Sequence, residues 1–203
     1  MVYLKKPLNR QVDMDSLKEK ILSEGKAIGT EIVKVDNFLN HQIDVLFLEE
    51  LGKAFHERFK DISPDKILTV EASGIAMACE TAKNFGGIPV VFAKKAAPNT
   101  LVEGYYCAPA KSFTKGIVST LLASKTFLNE GDRILIIDDF MASGQAALAL
   151  CELCRQSGAE VLGIGIAIEK AFQGGSERLR EKGIRVESLA VIKKIQDGII
   201  EFE

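Results

Sequence analysis

From Lys66 onward, short runs of β-branched and aliphatic residues alternate with segments of helical period, and this alternation limits the folds open to the chain. Ile67–Val70 is followed by a helix-period stretch over 75–85 and then by Ile88–Phe92. The pattern resumes with Ile134–Ile137, a helix over about 144–156 ending at Gly158, Val161–Ile168, a short helix over 176–182, and Ile184–Ile192. Strands that are apolar at successive positions must be covered on both faces. The sequence therefore predicts an α/β fold with a mostly parallel central sheet flanked by helices. Upstream, Ser16 and Glu19 have capping-box spacing, Leu17 and Ile21 share a helical face, and Gly25 is placed to end that helix. Ile43, Phe47, Leu51, Phe55 and Phe59 form a stripe at spacing four, with Asn40 or His41 near its start, and predict a core-facing helix.

The connection over 94–132 is too long for an ordinary βα link and carries its own alternation around Tyr105, Tyr106, Phe113, Ile117 and Val118. It reads as an extended, flexible β-hairpin placed to cover a site at the carboxyl edge of the sheet. With 203 residues the chain has the size of one domain over 1–203. Lysine plus arginine number 26 against 28 aspartate plus glutamate, a balance that argues against a duplex-binding surface, so no nucleic-acid partner is expected. The longest apolar run, Val161–Ile168, is far below the roughly 18–20 residues that span a bilayer, so no membrane association is expected. Met1–Asn9 lacks the apolar core of an export signal, which predicts a cytoplasmic protein with its four cysteines reduced. Cys151-x-x-Cys154 lies inside a predicted helix with no second Cys or His pair nearby, and reads as packing rather than as a metal site.

The chemistry concentrates in Ile134–Ala147, ILIIDDFMASGQAA, a strand, a turn and a helix start. Asp138 and Asp139 follow the apolar run at the carboxyl end of a strand, where open α/β sheets place their ligands. Successive strand side chains point to opposite faces, so the pair is poorly arranged to chelate one ion and better suited to accept from sugar hydroxyls beyond the strand. Ala142, Ser143, Gly144, Gln145 and Ala146 carry little bulk, which lets backbone N–H groups wrap an anion at the helix N-terminus. Hydroxyls beside a phosphate describe a ribose 5-phosphate; the G-x-G-x-x-G of a dinucleotide site is absent. On the residues alone, the alternative is an ordinary βα turn with solvated acids.

IIDDFMASGQAA resembles the phosphoribosyl diphosphate signature of type I phosphoribosyltransferases. VDNFLNHQID from Val35, EASGIA from Glu71, PVVFAKK from Pro89, SFTK from Ser112, IGIAIEKAF from Ile164 and RVESLA from Arg185 are similar, in the same order, to segments of the bacterial xanthine-using members. The likeness runs from Val33 to about Ala190. It implies the type I phosphoribosyltransferase fold, with a small N-terminal hood over about 28–42 and the flexible hairpin loop over about 94–132.

The resemblance also implies roles. Asp138 and Asp139 would hold the ribose hydroxyls as the catalytic pair, and the turn Ala142, Ser143, Gly144, Gln145, Ala146 would cradle the 5-phosphate. Ser73 and Gly74 would present amides to the pyrophosphate, neutralised by Lys94 or Lys95, one of them from a neighbouring subunit of a homodimer. From residues alone those adjacent lysines read as a solvated pair. Lys170 would donate to the purine 6-oxo group, and Val33 and Asn40 would contact the base from the hood; a strand-end lysine reaching solvent and an asparagine helix cap are the plainer readings. Ser143 and Val33 depart from the asparagine and leucine usual in the xanthine enzymes. Glu169 reads as structural or as a partner orienting Lys170.

The implied reaction is purine salvage: transfer of the 5-phosphoribosyl group from phosphoribosyl diphosphate to N9 of a 6-oxopurine, foremost xanthine, with XMP and pyrophosphate as products. Mg2+ bound mainly by substrate and water is implied as cofactor, with no protein metal site. A guanine- or hypoxanthine-using transferase is the nearest alternative. A non-catalytic regulator sensing phosphoribosyl diphosphate is a further one, disfavoured because only about 30 residues precede the hood-like segment and hold one short predicted helix.

Overall fold

A computed structural model describes residues 14–97, 102–111 and 118–203. In chain order the elements are α1 (Met14–Glu24), β1 (Lys26–Ile28), β2 (Ile32–Lys34), a π-helical turn (Asp36–Asn40), α2 (Val45–Arg58), β3 (Lys66–Val70), α3 (Ser73–Asn84), β4 (Val90–Ala96), β5 (Tyr105–Lys111), β6 (Val118–Ser124), β7 (Arg133–Met141), α4 (Gln145–Ser157), β8 (Glu160–Lys170), a 3-10 turn (Ala171–Gln173), α5 (Gly175–Arg180), β9 (Val186–Gln196) and β10 (Ile199–Phe202).

Eight strands form one sheet in the order β10-β9-β8-β7-β3-β4-β6-β5. The five from β9 to β4 run parallel, while β10 at one edge and the β5–β6 hairpin at the other are antiparallel. Period-two alternation divides the apolar strands between two cores. Ile67, Leu135 and Ile137 pack with α2 and α3 on one face, whereas Leu68, Ile134 and Ile136 pack with α4 and the hairpin on the other. This is the α/β fold expected, with helices on both faces.

Several local expectations are corrected. α1 begins at Met14, so Ser16 lies within the helix and is not its cap; its Oγ is buried with no hydrogen-bond partner among the described residues. Leu17 and Ile21 are buried as expected, and Gly25 N–H donates to the Ile21 carbonyl. α2 is capped by Asp44, whose carboxylate accepts from Phe47 N–H at 3.2 Å, rather than by Asn40 or His41. Ile43 precedes the helix and is 44% exposed, so the buried stripe is Phe47, Leu51, Phe55 and Phe59. Spacing alone did not separate the residue before the cap from the face that follows it.

The β-hairpin expected within 94–132 is present as β5 and β6. Lys94 and Lys95 belong to β4, which pairs with β6, and Ala108, Ala110, Leu121 and Ala123 of the hairpin are buried in the α4-side core. The Gln156 amide of α4 donates to the Cys107 carbonyl at 2.9 Å and accepts from its N–H at 3.3 Å, occupying the open edge of β5. SFTK with Phe113 and Ile117 lies outside the described residues. Three strands escaped the sequence reading: the β1–β2 pair of the hood and β10, which closes the far edge.

All four cysteines are free thiols. Burial pushes Cys151 up to about 11 and Cys154 up to about 12, so at pH 8 both stay protonated and unreactive. Cys79 is exposed. Titration of the native protein with a thiol-disulfide reagent is expected to modify Cys79 readily and to spare Cys151 and Cys154 until the chain is unfolded.

Candidate active site

β7 runs on through both acids to Met141, four residues beyond the end of the apolar run at Ile137. Asp138 pairs with Ile166 of β8 inside the sheet and is only 5% exposed, instead of projecting past the strand. Its Oδ1 accepts from Asp139 N–H at 3.0 Å. Burial raises its carboxyl well above the ordinary 3.8, and the neighbouring Asp139 charge adds to the rise, partly opposed by Lys95. Asp139 is half-buried. Asp138 also faces the first turn of α3: a Cβ added to Gly74 would lie 3.1 Å from Asp138 Oδ1 and would collide with the Thr69 hydroxyl. Only a glycine lets α3 begin this close to the acid.

The turn after β7 is built as the sequence predicts. Gly144 adopts φ +78 in the left-handed region and starts α4 with no side-chain cap. The first amides of a 13-residue helix are therefore left for a ligand. A cleft of about 230 Å³ opens above them. Its floor is Asp138 and the turn Ala142, Ser143, Gly144, Gln145, Ala146, and its far wall is Lys95 of β4 with Ala110 and Ser119 of the hairpin. Of the two candidate lysines, Lys95 lines this cleft. Along β4, Lys95 shares the face of buried Val91 and Ala93, whereas Lys94 shares the opposite face with Phe92. Lys95 N–H donates to the Glu71 carboxylate at 2.6 Å, which ties the loop ahead of α3 to this strand. Ser73 and Gly74 open α3 next to Asp138 and do not themselves line the cleft.

The base-contacting candidates lie elsewhere. Lys170 ends β8, and its Nζ donates to the Glu31 carbonyl in the β1–β2 turn at 2.9 Å. Burial lowers its pKa from 10.5. A second cleft is lined by Thr30, Glu31, Phe172 and the end of β9, so Lys170 sits where hood and sheet meet. Val33 is buried in the α2-side core, and Asn40 is exposed at the end of the π-helical turn; neither lines either cleft. Glu169 does not orient Lys170. It is buried and accepts from the hydroxyls of Ser176 and Ser188. Phe172, 41% exposed two residues past Lys170, was missed by sequence reasoning, although an aromatic so close to a strand-end cation was a usable signal. Glu71 was missed too, since nothing in the sequence shows its contact with β4.

A buried acid, an uncapped helix start with a glycine turn and an opposing lysine thus line one cleft at the carboxyl edge of a parallel sheet, the place where open α/β sheets put their ligands. Residues 34–197 match the phosphoribosyl transferase domain. The chain belongs to the phosphoribosyltransferase family. Within it, the chain is similar to xanthine phosphoribosyltransferases. It is 51% identical to that of Ruminiclostridium cellulolyticum over 93% of this chain and 99% of the relative, and 49% identical to that of Clostridioides difficile over 93% and 100%. Adenine phosphoribosyltransferases of Rhodothermus marinus (TM-score 0.71, 88% of this chain and 99% of that one) and Giardia lamblia (TM-score 0.72, 88% and 97%) share the fold, each at 20% identity.

Proposed function

We propose that the protein is a purine-salvage transferase that moves the 5-phosphoribosyl group from phosphoribosyl diphosphate to N9 of xanthine, releasing XMP and pyrophosphate. The observation that carries this reading is the cleft floor, where a carboxyl-bearing strand end runs directly into the uncapped start of α4. The extent of identity to xanthine phosphoribosyltransferases selects xanthine over guanine and hypoxanthine.

In this reading the amides of 142–146 hold the 5-phosphate, Asp138 and Asp139 accept from the ribose hydroxyls, and Lys95 with the Ser73–Gly74 amides meets the pyrophosphate. As pyrophosphate leaves, C1 of the ribose gains oxocarbenium character. The acids fixed beside it stabilise that positive charge without reorganising, and the hairpin wall excludes competing water. The described residues bring no three His, Cys, Asp or Glu side chains together at ligating positions. Mg2+, held mainly by substrate and water, would supply charge neutralisation. Lys170 donates to the 6-oxo group, Phe172 offers a stacking face for the purine, and Val33 and Asn40 shape the hood from behind. Lys94, beside exposed Phe92 on the outer face of β4, is turned toward a second subunit of a cytoplasmic homodimer. No helix among the described residues is long and apolar enough to cross a membrane.

The test is to supply phosphoribosyl diphosphate and Mg2+ with xanthine, guanine, hypoxanthine or adenine and to measure nucleotide formed. XMP as the dominant product is expected; turnover of adenine alone, or of no base, contradicts the reading. Lys170→Ala is expected to raise KM for xanthine about 10- to 100-fold with little change in KM for phosphoribosyl diphosphate, because the 6-oxo group is left unpaired at a cost of about 1–3 kcal/mol. Unchanged xanthine kinetics would remove Lys170 from the site.

A further inference from the structure

The turn 142–146 has almost no side chains with which to hold its own shape, yet an anion cradle must keep like-oriented amides together before the anion arrives. Its support comes from behind. Arg178, exposed on α5, donates from Nη1 to the Ser143 carbonyl and to the Gln173 carbonyl, both at 3.0 Å. In a trans peptide the C=O and the following N–H point in opposite directions, so fixing the Ser143 carbonyl on Arg178 leaves the Gly144 N–H on the far side of that peptide plane. Gly175, which opens α5, presses on the same turn: a Cβ there would run into the Ala142 carbonyl and come within 2.8 Å of the Gly144 nitrogen.

α5 has only six residues and is too short to stand alone. It is anchored at its second residue, because the Ser176 hydroxyl donates to the Glu169 carboxylate, whose other oxygen accepts from Ser188 of β9 at 2.5 Å. Glu169 is 2% exposed and is thus a buried carboxylate tying β8, β9 and α5 into one unit behind the turn.

We propose that Arg178 and Glu169 are positioning residues for the 5-phosphate: Glu169 fixes α5 through Ser176, and α5, through Arg178 and Gly175, holds the turn in its anion-ready shape. This rests on reading 142–146 as the phosphate cradle. It also makes the residue next to the base-facing Lys170 part of the phosphate subsite's foundation.

The experiment measures binding of XMP and of xanthosine to the full chain by calorimetry, for the wild type, Arg178→Ala, Arg178→Lys and Glu169→Gln. Wild type that binds XMP no better than xanthosine overturns the cradle itself, and with it the function proposed above. Where the wild type prefers XMP, Arg178→Ala and Glu169→Gln are each expected to weaken XMP about five- to tenfold while leaving xanthosine within about twofold, since each removes or degrades one hydrogen-bonded support. Arg178→Lys keeps the charge on a shorter side chain that does not reach the Nη1 position and is expected to fall between. Unchanged XMP binding in both Arg178→Ala and Glu169→Gln, or equal loss of both ligands, overturns the positioning role. Loss in one variant only retains that arm and removes the other. If Glu169→Gln does not fold, Ser176→Ala replaces it with the same expected result and the same overturning one.

Discussion

Asp138→Asn combined with Asp139→Asn is expected to lower kcat/KM by more than about 100-fold while the protein stays folded. Each aspartate would accept a hydroxyl of the ribose; asparagine keeps a neutral acceptor but loses the charge that strengthens the bond and stabilises C1, so the two changes together cost about 3 kcal/mol of transition-state stabilisation. The single change Asp138→Asn is expected to make the protein more stable at neutral pH. Asparagine keeps an oxygen to accept the Asp139 N–H, and it removes a buried carboxyl whose pKa burial raises well above 3.8. A raised carboxyl favours the folded state fully below the unfolded value of 3.8, and that contribution is lost as the pH rises through the folded value. The Tm advantage of Asp138→Asn should therefore be absent near pH 4 and largest near pH 8. Thermal scans across that range, beside steady-state kinetics, check both halves. Near-normal turnover of the double variant contradicts the ribose role, and a Tm advantage that shrinks with rising pH contradicts the electrostatic one.

Gly175→Ala is expected to raise KM for phosphoribosyl diphosphate more than about tenfold and to destabilise the protein by about 1–3 kcal/mol. The added methyl meets the Ala142 carbonyl, the Gly144 nitrogen at 2.8 Å and Met141 Cγ at 2.9 Å. Two of these are backbone and cannot rotate aside, so the turn itself must shift. Gly144 cannot yield easily, because its own Cβ position is 3.0 Å from the Gly175 carbonyl and its φ is +78. KM for xanthine should change little, since Lys170 and the hood lie outside the displaced segment. A variant with unaltered KM for phosphoribosyl diphosphate would show that this close approach has no bearing on the cradle.

The parts legible in the sequence are those in which local chemistry and tertiary role coincide. Ile134–Ile137 followed by two acids, small residues and a helix former can be little other than a strand, a turn and a helix start, and the structure builds that unit around Gly144. The stripe from Phe47 to Phe59 is legible for the same reason, as burial and helical period agree. What was not legible depends on partners distant in sequence. Choosing between Lys94 and Lys95 requires knowing that β4 pairs with β6, which fixes the face each presents. The hairpin was legible as a hairpin but its packing was not, because its edge is completed by the distant Gln156 and its buried alanines are too small to signal a strand core. Arg178 was opaque because it bonds a backbone carbonyl 35 residues away, and Glu169 was legible as structural but its serine partners, from two other elements, were not.

A crystal structure with XMP bound tests the assignment most directly. The 5-phosphate is predicted to accept from the backbone amides between Ala142 and Ala146, with the ribose hydroxyls on Asp138 and Asp139 and the purine 6-oxo group on Lys170. A nucleotide seated elsewhere on the sheet edge, with those amides and acids untouched, would contradict it.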